Sequence, residues 1–226
     1  MRVFALSDLH LSFSVDKPMN IFGSQWENHA ERIADAWQET VGEDDLVLIP
    51  GDISWAMRLE DAVPDLEFVD RLNGTKVMIR GNHEYWWDSV SKVRNILPHS
   101  IHAIQNDAFA FGWVSVGGTR LWDLEAASST EDGKKIYDRE MIRLKLSLDC
   151  MDSGKERIIM VHYPVFDSAY PDTTAKQLLE EYGIKTVVYG HLHGKAQAGG
   201  FVGVKDGINY QLVASDYLDF KPKQIL

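Results

Sequence analysis

The stretch Lys76-Val77-Met78-Ile79-Arg80-Gly81-Asn82-His83-Glu84 sets the pattern for the whole chain. A mostly apolar run of strand length breaks at Gly81 into an amide, an imidazole and a carboxylate. A run that is apolar on both faces reads as a strand covered on both sides. Open α/β sheets place their ligands just beyond the carboxyl ends of such strands. The pattern recurs outward in both directions. The run over residues 3–7 leads into Asp8-Leu9-His10, and 46–50 into Gly51-Asp52. The run over 157–161 leads into His162-Tyr163-Pro164, and 186–189 into Gly190-His191-Leu192-His193.

Helical patterns lie between several of these runs. Ala30, Ile33, Ala34 and Trp37 follow the helical repeat and predict a helix over about 25–40. Leu59, Ala62, Leu66 and Val69 predict another over about 58–72, with Pro64 in its first turn or kinking it. Val90, Val93 and Ile96-Leu97 mark a third that stops at Pro98, and Ile136, Met141, Leu144 and Leu148 a fourth that ends near Gly154. The segments 101–118 and 197–214 differ, with short β-type runs in close succession and Asp206-Gly207 as a hairpin-turn signal. They read as β-meanders. The fold class that satisfies both patterns is α/β (α+β), with two sheets packed face to face and helices outside. The absence of repeats, low-complexity tracts or a linker-like stretch makes one domain over 1–226 the expectation.

Composition narrows the function classes. The 226 residues are 45% hydrophobic and 25% charged, which is ordinary for a globular chain. Cys150 is the only cysteine, so an intrachain disulfide and a thiolate zinc site are both excluded. At the end of a helix it reads as a small buried hydrophobe. The start of the chain has no signal-peptide pattern, and no apolar run reaches the roughly 18 residues needed to cross a bilayer. A soluble cytoplasmic protein without a membrane partner is expected. The formal net charge of −11, with no run of basic residues, argues against a nucleic-acid partner.

The residue types at the strand ends carry the chemistry. Asp8, His10, Asp52, Asn82, His162, His191 and His193 offer two carboxylates, one amide oxygen and four imidazoles. That is more than one tetrahedral ion takes, and two adjacent ions sharing a carboxylate use them all. Mixed oxygen and nitrogen ligation without thiolate suits two divalent ions such as Mn²⁺, Fe²⁺ or Zn²⁺. Each motif alone has a bland explanation: Asp-x-His recurs by accident, Gly-Asp occurs in many turns, and a His-x-His pair is often solvated. Their joint placement at successive strand ends does not.

The series Asp8-x-His10, Gly51-Asp52, Gly81-Asn82-His83, His162 and Gly190-His191-x-His193 resembles the signature of the calcineurin-like metallophosphoesterases. The resemblance implies a four-layer α-β-β-α sandwich of two mixed sheets. It implies one metal on Asp8, His10, Asp52 and His193, and a second on Asp52, Asn82, His162 and His191, with Asp52 bridging. It implies hydrolysis of a phosphoester by in-line attack of hydroxide, with His83 binding no metal and assisting the leaving oxygen. The family usually carries Asp at the position of Glu84, where the carboxylate orients the catalytic imidazole; Glu84 keeps the charge with one more methylene.

A small phosphodiester or phosphomonoester, nucleotide-like, is the substrate expected. A serine/threonine protein phosphatase, a nuclease, or a non-catalytic metal-binding scaffold are the alternatives. Trp55, Tyr85, Trp86, Trp87, Trp122, Phe166 and Tyr170 either edge the site or pack the core. Arg58, Arg80 and Arg120 are available to hold a phosphate, or pair with acids. His29, His99 and His102 stand outside the strand-end pattern and read as surface or structural histidines.

Overall fold

The structure, a computed structural model, describes every residue except Asp167, Ser168 and Tyr170. The first sheet is built from β1 (Val3–Ala5), β2 (Leu46–Ile49), β3 (Thr75–Met78) and β4 (Ile101–Ala103), closed by a short β11 (Lys223–Gln224). Its order is β11-β1-β2-β3-β4, parallel throughout except that β11 runs antiparallel to β1. The second sheet holds β5 (Ala108–Phe111), β6 (Val114–Thr119), β7 (Glu156–Val161), β8 (Thr186–Tyr189), β9 (Gly203–Lys205) and β10 (Ile208–Leu212). Its order is β5-β6-β7-β8-β10-β9, with a parallel centre and an antiparallel strand at each edge.

The period of two along each strand explains why the runs read as apolar throughout. Val3, Ala5, Leu46, Leu48, Val77, Ile158, Met160 and Val188 pack between the two sheets. Their neighbours Phe4, Val47, Ile49 and Met78 face the other way, into a core with α1 (His29–Thr40) and α2 (Val63–Asp70). Ile159, Val161, Val187 and Tyr189 face α5 (Glu131–Asp149) and α6 (Thr174–Glu181) on the far side of the second sheet. Helix, sheet, sheet and helix thus form the expected layers.

Local readings hold with adjustments. The helix expected over 25–40 begins only at His29, because Asn28 is left-handed and Ser24–Trp26 is a separate 3-10 turn. Pro64 sits in the first turn of α2, where its missing N–H costs nothing. The third helix, α3, is Val90–Ile96. The fourth, α5, stops at Asp149 rather than near Gly154. Cys150 caps it and is exposed, contrary to expectation. Two positions beyond buried Leu148, it points away from the helix's apolar face. Helices α4 (Leu124–Ser129) and α6 have no counterpart in the sequence reading.

The meander expected over 101–118 is overturned. β4 pairs in parallel with β3 in the first sheet, and the chain then crosses to the second sheet to form the β5–β6 hairpin. At 203–212 the hairpin through Asp206-Gly207 forms as predicted, but β10 also pairs in parallel with β8.

The two sheets are joined at the rim that carries the ligand motifs. The backbone N–H of Ser7 donates to Val213 O at 2.8 Å, and that of Ser215 to Ser7 O at 3.0 Å. Asp8 N donates to Gly51 O and His10 N to Asp52 O, both at 3.0 Å, which ties the first two strand ends together. The far end of the first sheet is held by Lys76, which is fully buried. Its Nζ donates to the carbonyls of Asp70, Leu72 and Gly74 at and just beyond the end of α2, and to Ser100 Oγ. Lys76→Met keeps the stem but leaves buried carbonyls unpaired, so a loss of about 1–3 kcal/mol is expected in urea unfolding. An unchanged midpoint refutes the assignment.

Candidate metal centre

All the strand-end ligand motifs converge on one place. His10 Nε2 lies 3.3 Å from His193 Nε2, which lies 3.3 Å from Asp8 Oδ1. Asp52 Oδ2 has His162 Nε2 at 3.5 Å, His10 Nε2 at 3.9 Å and His83 Nε2 at 4.0 Å. Asn82 Oδ1 is 2.6 Å from His162 Nε2 and 2.9 Å from His191 Nδ1. Two groups of converging ligand atoms stand out, Asp8 with His10 and His193, and Asp8 with Asp52 and His162. Asp8 is common to both, and Asp52 Oδ2 reaches histidines of both.

The strand ends approach so closely because backbone conformation is sacrificed there. Asp8, His10, Asp52 and His191 all have positive φ, between 47° and 70°. Left-handed backbone at residues other than glycine is costly and clusters at functional sites. Two glycines provide the remaining room. A Cβ at Gly81 would stand 2.2 Å from Asp52 Oδ1, and one at Gly190 2.2 Å from Asp8 Oδ2.

The electrostatics fit a cation site. Asp8 and Asp52 are buried, and among the described residues no lysine or arginine pairs with either. Burial holds His10 well below the ordinary imidazole range and lowers His162 as well. It pushes His83 down to about 4 and His191 down to about 3, with neighbouring imidazoles adding to the shift. These rings are neutral at pH 7 and present lone pairs. His193 is the exception. Burial lowers it, but Asp216 and Asp8 outweigh that and raise it to about 10. One imidazolium thus balances only part of the buried charge.

The donor set passes a direct test of fit. Ligands at metal–ligand bonds of about 2.0–2.1 Å stand roughly 3–3.4 Å from one another. The 3.3 Å separations of His193 from His10 and from Asp8 have that spacing. His162 Nδ1 is bonded to Pro50 O at 2.9 Å and His193 Nδ1 to Asp216 Oδ1 at 2.8 Å, so each presents Nε2 inward. Orientation of a ligating imidazole through its other nitrogen is the usual arrangement at metals.

A model of the calcineurin-like phosphoesterase family matches residues 1–195. The chain belongs to that family. No curated protein sequence matches the chain. Two solved structures share its fold. A protein of unknown function from Aquifex aeolicus is 12% identical with a TM-score of 0.51, covering 98% of this chain and 94% of that one. The phosphopantetheinyl hydrolase of Mycobacterium tuberculosis is 13% identical with a TM-score of 0.61, covering 100% of this chain and 95% of that one. Among the described residues of this calcineurin-like phosphoesterase, no helix is long and apolar enough to cross a membrane.

The expected role of Glu84 is corrected. Its buried carboxylate accepts backbone N–H bonds from Asp52, Ile53 and Gly81, and so clamps two ligand-bearing loops together. It does not orient His83, whose Nδ1 is buried without a hydrogen-bond partner. The extra methylene gives Glu84 the reach to the opposite loop. Burial and the nearby Asp52 raise it to about 7 against the pull of these N–H groups.

The aromatic residues divide. Trp86 and Trp87 are buried in the helix-side core of the first sheet and Phe166 in that of the second. Trp55 stacks on His10 at 4.9 Å and touches His83 at 4.3 Å between ring centres, while Tyr85 is exposed beside His83. Trp122 lines a cavity beside His191. The expectation for Tyr170 falls outside the described residues. His29 is structural, its Nε2 lying 3.2 Å from His10 O.

Sequence reading missed Asp216. It follows the run ending at Ala214, so the strand-end rule applied once more reaches it. Asp216→Ala frees the His193 ring, and divalent affinity is expected to fall about 10–100-fold in chelator competition. Gly190→Ala is expected to abolish metal uptake while circular dichroism stays native. Full metal content in that variant contradicts the close approach.

Proposed function

We propose that this chain hydrolyses small phosphoesters at two divalent cations, one on Asp8, His10, Asp52 and His193 and one on Asp52, Asn82, His162 and His191. The observation that carries the reading is the position of Asp52 Oδ2, which His10, His162 and His83 approach within 4.0 Å from separate strand ends. When bound, such a pair of cations supplies Lewis acidity, acidifying a water and offsetting charge on phosphoryl oxygens.

The chain's own residues do the rest. His83 is held through its backbone N–H, which donates to Asp52 Oδ1 at 2.9 Å, so its ring is fixed to the same carboxylate that serves both ligand sets. The ring is partly exposed and lines a cavity of about 270 Å³ with Met19, Phe22, Trp26 and Trp55. A leaving alcohol lying in this apolar cavity places its ester oxygen beside His83 Nε2, whose N–H donates a hydrogen bond to it. Trp55 packs on both His10 and His83, which also meet edge to face, so the three rings hold one another in place.

A second cavity of about 210 Å³, lined by Trp122, Tyr163, Phe166 and His191, opens beside a ligand that the first cavity does not touch. Two cavities flanking one centre support a phosphodiester, with one ester group in each. Both are below the roughly 300 Å³ at which pockets for drug-sized ligands begin, which supports small groups. A phosphopantetheinyl diester belongs in the substrate screen, since one structurally similar protein is named as a hydrolase of that group.

Turnover of bis-p-nitrophenyl phosphate with added Mn²⁺ is the expected result. His83→Ala is expected to cut turnover of alkyl esters about 10²–10⁴-fold with metal content unchanged. Asp52→Asn is expected to lose both ions in metal analysis. No hydrolysis of mono- or diesters, nucleotides or the phosphopantetheinyl ester by metal-loaded protein sinks the proposal and favours an interaction scaffold.

A further inference from the structure

Arg80 and Arg120 stand just outside the metal cluster and are not used by the chemistry above. Each follows the end of a parallel strand, β3 and β6 respectively, on the same rim as the ligands. Arg80 comes two residues before Asn82. The carbonyl of Arg120 accepts the backbone N–H groups of His162 at 3.2 Å and Tyr163 at 3.0 Å. Both side chains line a polar cavity of about 110 Å³, with Gln105, Thr119, Glu140 and Arg143.

The charges in this cavity do not balance. Glu140 is buried, accepts the Thr119 hydroxyl on Oε2, and takes Arg143 Nη1 on Oε1 at 2.7 Å. Arg120 reaches only 3.9 Å from that same Oε1. Among the described residues Arg80 has no ion pair and no side-chain hydrogen bond. Asp88, the other acid at the edge, is bound to Lys92. The Nε atoms of both Arg80 and Arg120 are buried with no hydrogen-bond partner. Three guanidinium groups therefore share the cavity with two carboxylates, of which Lys92 already holds one, in a chain whose formal net charge is −11. Arg120 is further constrained by its 4.6 Å contact with the Trp122 ring.

A buried N–H without an acceptor costs about 1–3 kcal/mol, and two adjacent cations add repulsion. An arrangement of this kind is relieved by an anion. The planar fork of arginine matches tetrahedral oxyanions, and the cavity offers a few water molecules' worth of space, enough for one such group and not for a sugar or base. We propose that Arg80 and Arg120, braced by the Glu140–Arg143 pair, form a binding site for a phosphate group other than the one hydrolysed. That group is either free phosphate or a second phosphate carried by the substrate. The second alternative rests on the hydrolase reading above; the site itself does not.

The test uses inorganic phosphate, followed by titration calorimetry on protein with and without its divalent ions. Protein stripped of metal is expected to bind one phosphate with a dissociation constant near or below about 1 mM. Arg80→Gln combined with Arg120→Gln is expected to weaken this about tenfold or more. Arg120→Lys, which keeps charge but not the fork, is expected to weaken it several-fold and serves if the double variant does not fold. Stripped protein that binds no phosphate, or binding that survives all these substitutions, overturns the site. Failure of hydrolysis leaves this readout untouched, so the two proposals fail separately. In metal-loaded protein, the p-nitrophenyl ester of thymidine 5′-phosphate is compared with its 3′-phosphorylated form. A lower KM for the 3′-phosphorylated form in wild type alone assigns the site to substrate, and equal KM values assign it to free phosphate.

Discussion

The structure depends on two buried carboxylates that no lysine or arginine among the described residues balances. Asp8 and Asp52 lie where the two sheets meet, among imidazoles of which burial keeps His10, His162 and His191 neutral while His193 alone is charged. Isolated buried charge is among the most expensive features a fold can carry. Here it is accompanied by left-handed backbone at Asp8, His10, Asp52 and His191, a further cost at the same place. Cations held at this centre would resolve the first cost, and the presentation of their ligands would account for the second.

Everything around the rim serves to hold that convergence. The N–H groups of His191 donate to Asp8, and those of His83 to Asp52, so the backbone of one ligand loop binds the carboxylate of another. Glu84 adds a third such link by gathering N–H groups from the Asp52 loop and from Gly81. Because each loop is stabilised by its neighbour, removal of one side chain is felt by ligands on other strands. The carboxylate of Glu84 therefore acts on the positions of the candidate ligands rather than on the proton of His83.

The charge distribution beyond the centre is uneven. The aromatic cavity beside His83 is mostly apolar, with Lys17 standing 4.6 Å over the Trp55 ring. The crevice of Arg80 and Arg120 is polar and positively charged, on a chain that is acidic overall. A phosphoester approaching the rim thus meets an apolar wall on one side and cationic groups on another, a division that favours one orientation over its reverse.

Most of the centre was legible in the sequence because strand-end chemistry is local. An apolar run of strand length followed by Asp, Asn or His states both where a side chain lies and what it can bind, and parallel strands under helices must bring those ends to one rim. That reasoning picked out Asp8, His10, Asp52, Asn82, His162, His191 and His193, whose side chains come together in the structure. It did not reach Asp216, whose value comes from a 2.8 Å contact with His193 across 23 residues of chain. Nor did it give Glu84 its partners, because a carboxylate's reach depends on which loop lies opposite. The crossing of the chain between sheets after β4 was also invisible, since a short apolar run has the same pattern whether it pairs forward or backward. Sequence alone determined the type of most elements, the ligand chemistry and the rim that carries it, all set by residues within a few positions of one another. Tertiary structure alone decided which carboxylate orients which ring, which arginines lack a partner and which aromatics line a cavity, because those depend on distances between segments that no spacing in the chain encodes.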